Sequence, residues 1–224
     1  MPRTRIKICG ITCAEDALAA ADAGADAVGM VFHPPAPRYV PPERAAKIIA
    51  ALPPFVSVVG LFVDAPVAEV LARAQALRLR HVQLHGHEEP AYVAQLSGLA
   101  ILKAVRVDPV EFRGLLDAWR QATAHHRLDH LRGLVLETGG IKEPGGSGVE
   151  NDWNAIAQAR DAGALTGLPP LIAAGGLHAG NVGRVVRELR PWAVDVSSGV
   201  ESTPGRKSIE KMRDFIRAVR DADT

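Results

Sequence analysis

Eight short runs of Val, Ile, Leu and Ala recur along the chain. Between them apolar residues return every three or four positions, with charged residues filling the gaps. A run that is apolar at successive positions is what a parallel strand buried on both faces requires. The three-to-four spacing gathers apolar side chains on one stripe of a helix. The runs predict strands over 5–11, 27–32, 57–63, 81–85, 101–107, 133–138, 170–175 and 193–197. The intervening stretches predict helices over 14–23, 41–52, 66–77, 111–122, 152–162, 181–189 and 208–222, with the least regular spacing over 89–96. Local signals agree. Gly24 stands where the first helix must stop. Pro41 and Pro42 suit a first helical turn, and Asp64 suits the cap region of the third helix.

Strand and helix alternate eight times, which predicts a parallel sheet. Eight such units within 224 residues fit a closed barrel better than an open sheet, and no low-complexity linker divides the chain. The expectation is one domain over 1–224, a single (β/α)8 TIM barrel. Such a barrel carries its reactive groups at the C-terminal ends of its strands and in the loops that follow. Polar or unusual residues at those ends are therefore the candidates, although the fold by itself names no reaction.

Composition narrows the partners. The 26 basic and 25 acidic residues cancel, which leaves no global field for nucleic acid or a membrane surface, so an anionic substrate has to be held by local groups. The basic residues from Arg206 to Arg220 are interleaved with Glu210 and Asp214, the pattern of a solvated helix face. Cys9 and Cys13 make no disulfide framework, and without a second ligand pair they predict no metal site. The opening Met1-Pro2-Arg3-Thr4-Arg5 lacks the apolar stretch of a signal peptide, and no run is long enough to span a bilayer. A soluble, cytoplasmic protein is expected.

The ends of strands 7 and 8 stand out first. They read Ala174-Gly175-Gly176 and Ser197-Ser198-Gly199, small residues that let backbone N–H groups come close to a phosphate. Barrels of this kind commonly bind phosphate at these two loops. Gly175, Gly176, Ser198 and Gly199 are the phosphate candidates, against the plainer reading that glycines make tight turns. Strand 1 ends Lys7-Ile8-Cys9-Gly10. Alternation puts Lys7 and Cys9 on one face, and a nearby cation would lower the thiol toward the reactive thiolate. A lysine inside a barrel needs an acidic partner, and strand 8, adjacent on closure, offers Asp195. Cys13, just beyond and expected inside the first helix, is a bystander.

Strand 6 ends in Glu137, where burial can raise a carboxyl's pKa and suit it to general acid work; a solvated rim residue is the alternative. Strand 4 ends Gln83-Leu84-His85, with His85 placed to line the pocket. Three prolines stiffen the loop that carries Arg38, a side chain able to pair with a carboxylate. The glycine-rich segment 139–148 suits a lid or substrate loop.

These segments together resemble the phosphoribosylanthranilate isomerase family. The resemblance rests on Lys7-Ile8-Cys9-Gly10-Ile11-Thr12, Gly24-Ala25-Asp26-Ala27-Val28-Gly29, Pro37-Arg38-Tyr39-Val40, Val82-Gln83-Leu84-His85-Gly86, Gly145-Gly146-Ser147-Gly148, Ala174-Gly175-Gly176-Leu177 and Val194-Asp195-Val196-Ser197-Ser198-Gly199-Val200-Glu201, in order along nearly the whole chain. It implies an Amadori rearrangement of a phosphorylated sugar substrate in tryptophan biosynthesis, with no metal and no cofactor, by a monomer or a homodimer. By resemblance Cys9 is the base that takes the proton from the sugar C2, and Arg38 anchors the anthranilate end. Gln83, His85, Lys7 and Asp195 line or support the substrate. Two positions depart from the family pattern. Glu137 stands where the family has an aspartate acid, and Val149 where it has a basic residue. The residues taken alone leave two other readings open, a different sugar-phosphate barrel isomerase or epimerase and a weakly active relative that only binds a phosphorylated ligand.

Overall fold

The computed structural model describes residues 3–107, 112–126, 128–138 and 153–223. The lid segment 139–148 and Val149 lie outside the described residues. Eight parallel strands, β1 (Arg5–Ile8), β2 (Ala27–Val31), β3 (Ser57–Phe62), β4 (His81–Leu84), β5 (Ala100–Val107), β6 (Leu131–Thr138), β7 (Leu171–Ala173) and β8 (Ala193–Val196), close into a barrel in sequence order. The eight helices alternate with them: α1 (Ala14–Ala23), α2 (Pro42–Ala51), α3 (Val67–Ala76), α4 (Pro90–Val93), α5 (Phe112–His126), α6 (Trp153–Asp161), α7 (Ala179–Leu189) and α8 (Ile209–Ala222). This is the (β/α)8 architecture read from the alternating pattern.

Two apolar layers explain why the strands looked apolar at every position. Ile6, Ile8, Val28, Met30, Val82 and Leu84 point outward and pack under the helices, with side chains such as Ile48, Val70 and Phe215 opposite them. Val59, Leu102, Val135, Ile172 and Ala193 fill the lower part of the barrel interior. Above that plug Cys9 packs with Val31 and Leu61 near the C-terminal mouth. A strand buried on both faces gives up its two-residue alternation, and a buried charge such as Lys7 beneath Cys9 becomes conspicuous for that reason.

Several boundaries and local roles differ from the sequence expectation. Six of the eight strand runs overshoot by one to three residues at their C-terminal ends, most of all 5–11, whose last residues belong to the loop that turns over the barrel mouth, while 101–107 and 133–138 end where the strands do. The irregular 89–96 stretch is one turn of α-helix followed by a 3-10 turn, Ala94–Leu96. Cys13 is the residue that precedes α1, not a member of it. Asp64 does not cap α3, which begins behind Pro66. Its backbone N–H donates to Glu88 instead (2.9 Å), and its carboxylate accepts from the backbone of His87 (2.6 Å). Gly24 does stop α1, in the left-handed conformation, its N–H returning to the carbonyls of Ala20 and Ala21. A small antiparallel ladder, β9 (Glu201–Thr203) and β10 (Arg206–Lys207), follows β8 and was not predicted.

Among the described residues no helix is long and apolar enough to cross a membrane.

Candidate active site

The C-terminal mouth of the barrel holds a pocket whose walls bring together ten of the predicted residues. Cys9, Arg38, Gln83, His85, Glu137, Gly175, Gly176, Asp195, Ser198 and Gly199 all line it. Lys7 does not. It sits one layer lower, where it also borders a cavity open to the opposite end of the barrel. From there its ammonium meets the site through Asp195 and through the Cys9 thiol beside it.

β1 pairs with β8 so that Lys7 stands directly across from Asp195. Lys7 Nζ donates to Asp195 Oδ2 at 2.6 Å, and both side chains are about 5% exposed. Burial works against the Lys7 charge, yet Asp195 and the neighbouring Cys9 hold its pKa above the ordinary lysine value. Burial pushes the Asp195 carboxyl up, and Lys7 pulls it back toward the charged form. Among the described residues no donor meets the buried Asp195 Oδ1 or the buried Gln83 Oε1. Two unsatisfied acceptors in the wall of one pocket are costly unless a ligand supplies donors, and a polyhydroxylated ligand would do so.

Cys9 is buried against Gly29 of β2. A methyl group on Gly29 would lie 2.8 Å from Cys9 Sγ and 3.1 to 3.2 Å from the end of the Lys7 side chain. Only a glycine at that position leaves room for the thiol and the ammonium side by side. The cation does lower the thiol pKa, as the sequence implies, but burial outweighs it and the net direction is upward. Burial pushes the Cys9 thiol up, Lys7 pulls it down, and Asp195, which cancels much of the Lys7 charge, pushes it up again.

Glu137 shows the opposite inversion. Burial alone would raise its carboxyl, as the sequence suggested. His85 Nε2, however, lies 2.8 Å from Glu137 Oε2. Burial is outweighed by His85 and, at longer range, by Lys7 and Arg106, so the carboxyl sits below its ordinary value. The other ring nitrogen, His85 Nδ1, is 3.0 Å from Gln83 Nε2. Gln83, His85 and Glu137 thus form one hydrogen-bonded row along β4 and β6.

The two small-residue loops meet at the other side of the pocket. Gly175 and Gly176 both have positive φ (84° and 63°), which side chains resist. A Cβ on Gly199 would lie 1.9 Å from the Leu177 carbonyl oxygen, inside any permitted contact. The backbone of the β7 loop and the 3-10 turn Ser198–Val200 are therefore pressed together, and only glycine allows it. Gly199→Ala should force the loops apart and raise the KM for a phosphorylated substrate about tenfold, the scale of one or two weakened charge-assisted hydrogen bonds. Steady-state kinetics with circular dichroism to verify folding would check it, and an unchanged KM would remove these loops from the binding site.

Arg38 is held by a residue the sequence reading did not single out. Its Nε and Nη2 donate to the two carboxylate oxygens of Glu201 at 2.7 and 2.8 Å. Ser197, His33 and Leu177 also line the pocket without having been selected. Ser197 and Leu177 adjoin chosen residues and were within reach of the motif reading. Glu201 closes the last of the quoted motifs, but its role was not readable there, because its contact with Arg38 bridges 163 positions of the chain. Among the described residues no group of three or more His, Cys, Asp or Glu is clustered to hold a metal ion.

Comparison with known proteins gives the same direction throughout. The family model described as N-(5'-phosphoribosyl)anthranilate (PRA) isomerase matches residues 6–218. The N-(5'-phosphoribosyl)anthranilate isomerase of Acidithiobacillus ferrooxidans is 47% identical over 221 residues, 98% of this chain and 99% of that one. The solved phosphoribosyl anthranilate isomerase of Thermotoga maritima superposes with a TM-score of 0.84 at 38% identity, covering 97% of this chain and 99% of the other. A further phosphoribosyl anthranilate isomerase structure, solved with reduced 1-(o-carboxyphenylamino)-1-deoxyribulose 5-phosphate, has a TM-score of 0.81 at 36% identity, with 97% and 99% coverage. The chain belongs to the N-(5'-phosphoribosyl)anthranilate isomerase family.

Proposed function

We propose that this pocket converts N-(5-phosphoribosyl)anthranilate into 1-(2-carboxyphenylamino)-1-deoxyribulose 5-phosphate, the Amadori step of tryptophan biosynthesis. The observation that carries the reading is the arrangement of four unlike groups around one cavity: a thiol just past β1, a carboxyl on β6 paired with an imidazole just past β4, an arginine on the β2 loop and two glycine loops after β7 and β8. The ligand of the relative solved in complex has a carboxylate at one end and a phosphate at the other. Arg38 and the Gly175–Gly176 and Ser198–Gly199 loops suit those two ends.

In the first step the Glu137–His85 pair delivers a proton to the ribose ring oxygen. The bond from that oxygen to C1 breaks, and the anilino nitrogen's lone pair forms the C=N bond of a Schiff base. In the second step the Cys9 thiolate removes the C2 proton, and the C2–H electrons shift to make an aminoenol. Proton return to C1 and loss of the O–H proton at C2 give the ketone. Asp195 Oδ1 and Gln83 Oε1, the two acceptors without donors, receive hydrogen bonds from the sugar hydroxyls. Lys7 keeps Asp195 ionised, and no cofactor is needed for these proton transfers.

The test is a steady-state assay with freshly prepared phosphoribosylanthranilate, following loss of its fluorescence. Turnover by the purified chain, with product identified by mass and by its ketone, is the expected result. An inert, folded protein would end the isomerase reading.

A further inference from the structure

The β9–β10 ladder contributes nothing to the barrel wall, yet it is tied to three parts of the fold. The Lys207 backbone N–H donates to Asp16 of α1 at 2.9 Å. Lys211 Nζ on α8 donates to the Glu201 carbonyl at 2.7 Å, and Thr12 Oγ1 donates to the Gly205 carbonyl at 2.6 Å. What the ladder presents from that anchored frame is a buried charge cluster. Glu201 Oε1 accepts from Arg38 Nε at 2.7 Å and from Lys207 Nζ at 2.9 Å, and Glu201 Oε2 accepts from Arg38 Nη2 at 2.8 Å. The Lys207 side chain is fully buried and that of Glu201 is 6% exposed.

We propose that Glu201 and Lys207 are positioning residues that orient the Arg38 guanidinium toward the carboxylate of the substrate's aromatic ring and so make the enzyme select a carboxylated substrate. This rests on the reading of Arg38 as the carboxylate anchor.

The geometry gives three reasons. A guanidinium offers five N–H donors in a rigid plane. The fork with Glu201 uses Nε and one Nη2 hydrogen, fixes that plane and leaves Nη1 and the second Nη2 hydrogen for a ligand. Charge is the second reason. Arg38 with Glu201 alone would be neutral and would attract an anion weakly. Lys207 restores a net charge of +1 to the cluster, and because Lys207 is buried, Arg38 is where an anion meets that charge. Rigidity is the third. Arg38 rides on a loop outside the regular strands and helices, and its long side chain loses rotamer freedom when it is held before binding.

Lys207 Nζ also donates to the Ser197 carbonyl at 3.0 Å. Ser197 directly precedes the Ser198–Gly199 turn, so the test has to separate the carboxylate end from the phosphate end. Two substrates do this: phosphoribosylanthranilate and phosphoribosylaniline, which lacks the carboxylate. Lys207→Met should raise the KM for the anthranilate substrate about 30-fold, the scale of losing a hydrogen bond to a charged group, with kcat changed less than threefold. Kinetics with the aniline substrate should change less than threefold. Glu201→Gln, which keeps the shape, should show the same split more weakly, and Lys207→Arg should restore most of the wild-type KM.

A loss shared equally by both substrates, or no loss with either, overturns the proposal, as a merely structural role would give the first result. If Lys207→Met does not fold, Glu201→Gln and Lys207→Arg carry the same comparison. Wild-type enzyme that treats both substrates alike overturns the anchor reading of Arg38 and this proposal with it. A wild-type preference that Arg38→Met abolishes but Lys207→Met and Glu201→Gln leave intact overturns this proposal alone.

Discussion

Cys9→Ala should lower kcat on phosphoribosylanthranilate by roughly four orders of magnitude, the upper range for removing a positioned acid or base, while KM stays within a few-fold. Alanine leaves a small cavity beside Gly29 and takes away neither the Arg38 anchor nor the two glycine loops, so binding should survive. The pH dependence follows from the thiol's environment. The base is active as thiolate, and burial holds its pKa above the ordinary value, with Lys7 pulling against it and Asp195 supporting it. A raised pKa on a group that works deprotonated means that the Cys9-dependent step gains rate as pH rises through that value. Asp195→Asn removes the anion that cancels Lys7, and should move this limb of the profile to lower pH. Stopped-flow or steady-state profiles of the two proteins would check the shift. A Cys9→Ala enzyme with more than a tenth of wild-type kcat would exclude the thiol as base. A limb that stays in place in Asp195→Asn would exclude the electrostatic account of it.

The contrast between what could be read along the chain and what could not has a physical pattern. The eight strands were legible because a strand buried on both sides has to be apolar at every position. The Lys7–Asp195 pair was legible because closure makes β1 and β8 neighbours and a charge inside a barrel needs a partner. Gly175, Gly176, Ser198 and Gly199 could be selected because small residues at two particular loops permit a close backbone approach. The pKa directions of Cys9 and Glu137 were both inverted. Cys9 is raised first by its burial, with Asp195 offsetting part of the Lys7 pull, and Glu137 is lowered because His85, just past β4, stands against a carboxyl from β6. Alternation along one strand says which face a side chain takes, but not which charge a second strand brings to it. The Glu201–Lys207 ladder was hidden for a related reason. Its five ladder residues carry no apolar period, and their meaning lies in contacts with Arg38 and Asp16, far away in sequence.

Glu137→Gln should lower kcat roughly a thousandfold, within the range expected for a lost general acid. Glutamine keeps the shape and can still accept from His85, but it has no carboxyl to carry the proton to the ring oxygen. The resting carboxyl sits below its ordinary value because His85, Lys7 and Arg106 outweigh burial. It is therefore ionised near neutral pH, and the proton it delivers has to be one shared with His85 across 2.8 Å. Gln83 fits that role. Its amide, 3.0 Å from His85 Nδ1, can present either its NH2 or its oxygen to the ring. The first orientation suits a neutral imidazole that accepts at Nδ1, and the second an imidazolium that donates there. Gln83→Met, which can do neither, should lower kcat about tenfold, a smaller loss than that of the acid itself because it removes one neutral hydrogen bond's worth of support, and should raise KM a few-fold because it also takes an acceptor from a sugar hydroxyl. Restoring the carboxyl separates position from chemistry. Glu137→Asp withdraws the acid by one methylene, and a misplacement of order 1 Å costs about 100-fold, so it should fall between wild type and Glu137→Gln. Single-turnover measurements of the three variants, read with the slow substrate step isolated, would rank them. A Glu137→Gln enzyme within threefold of wild type would leave His85 alone as the proton donor and remove Glu137 from the mechanism.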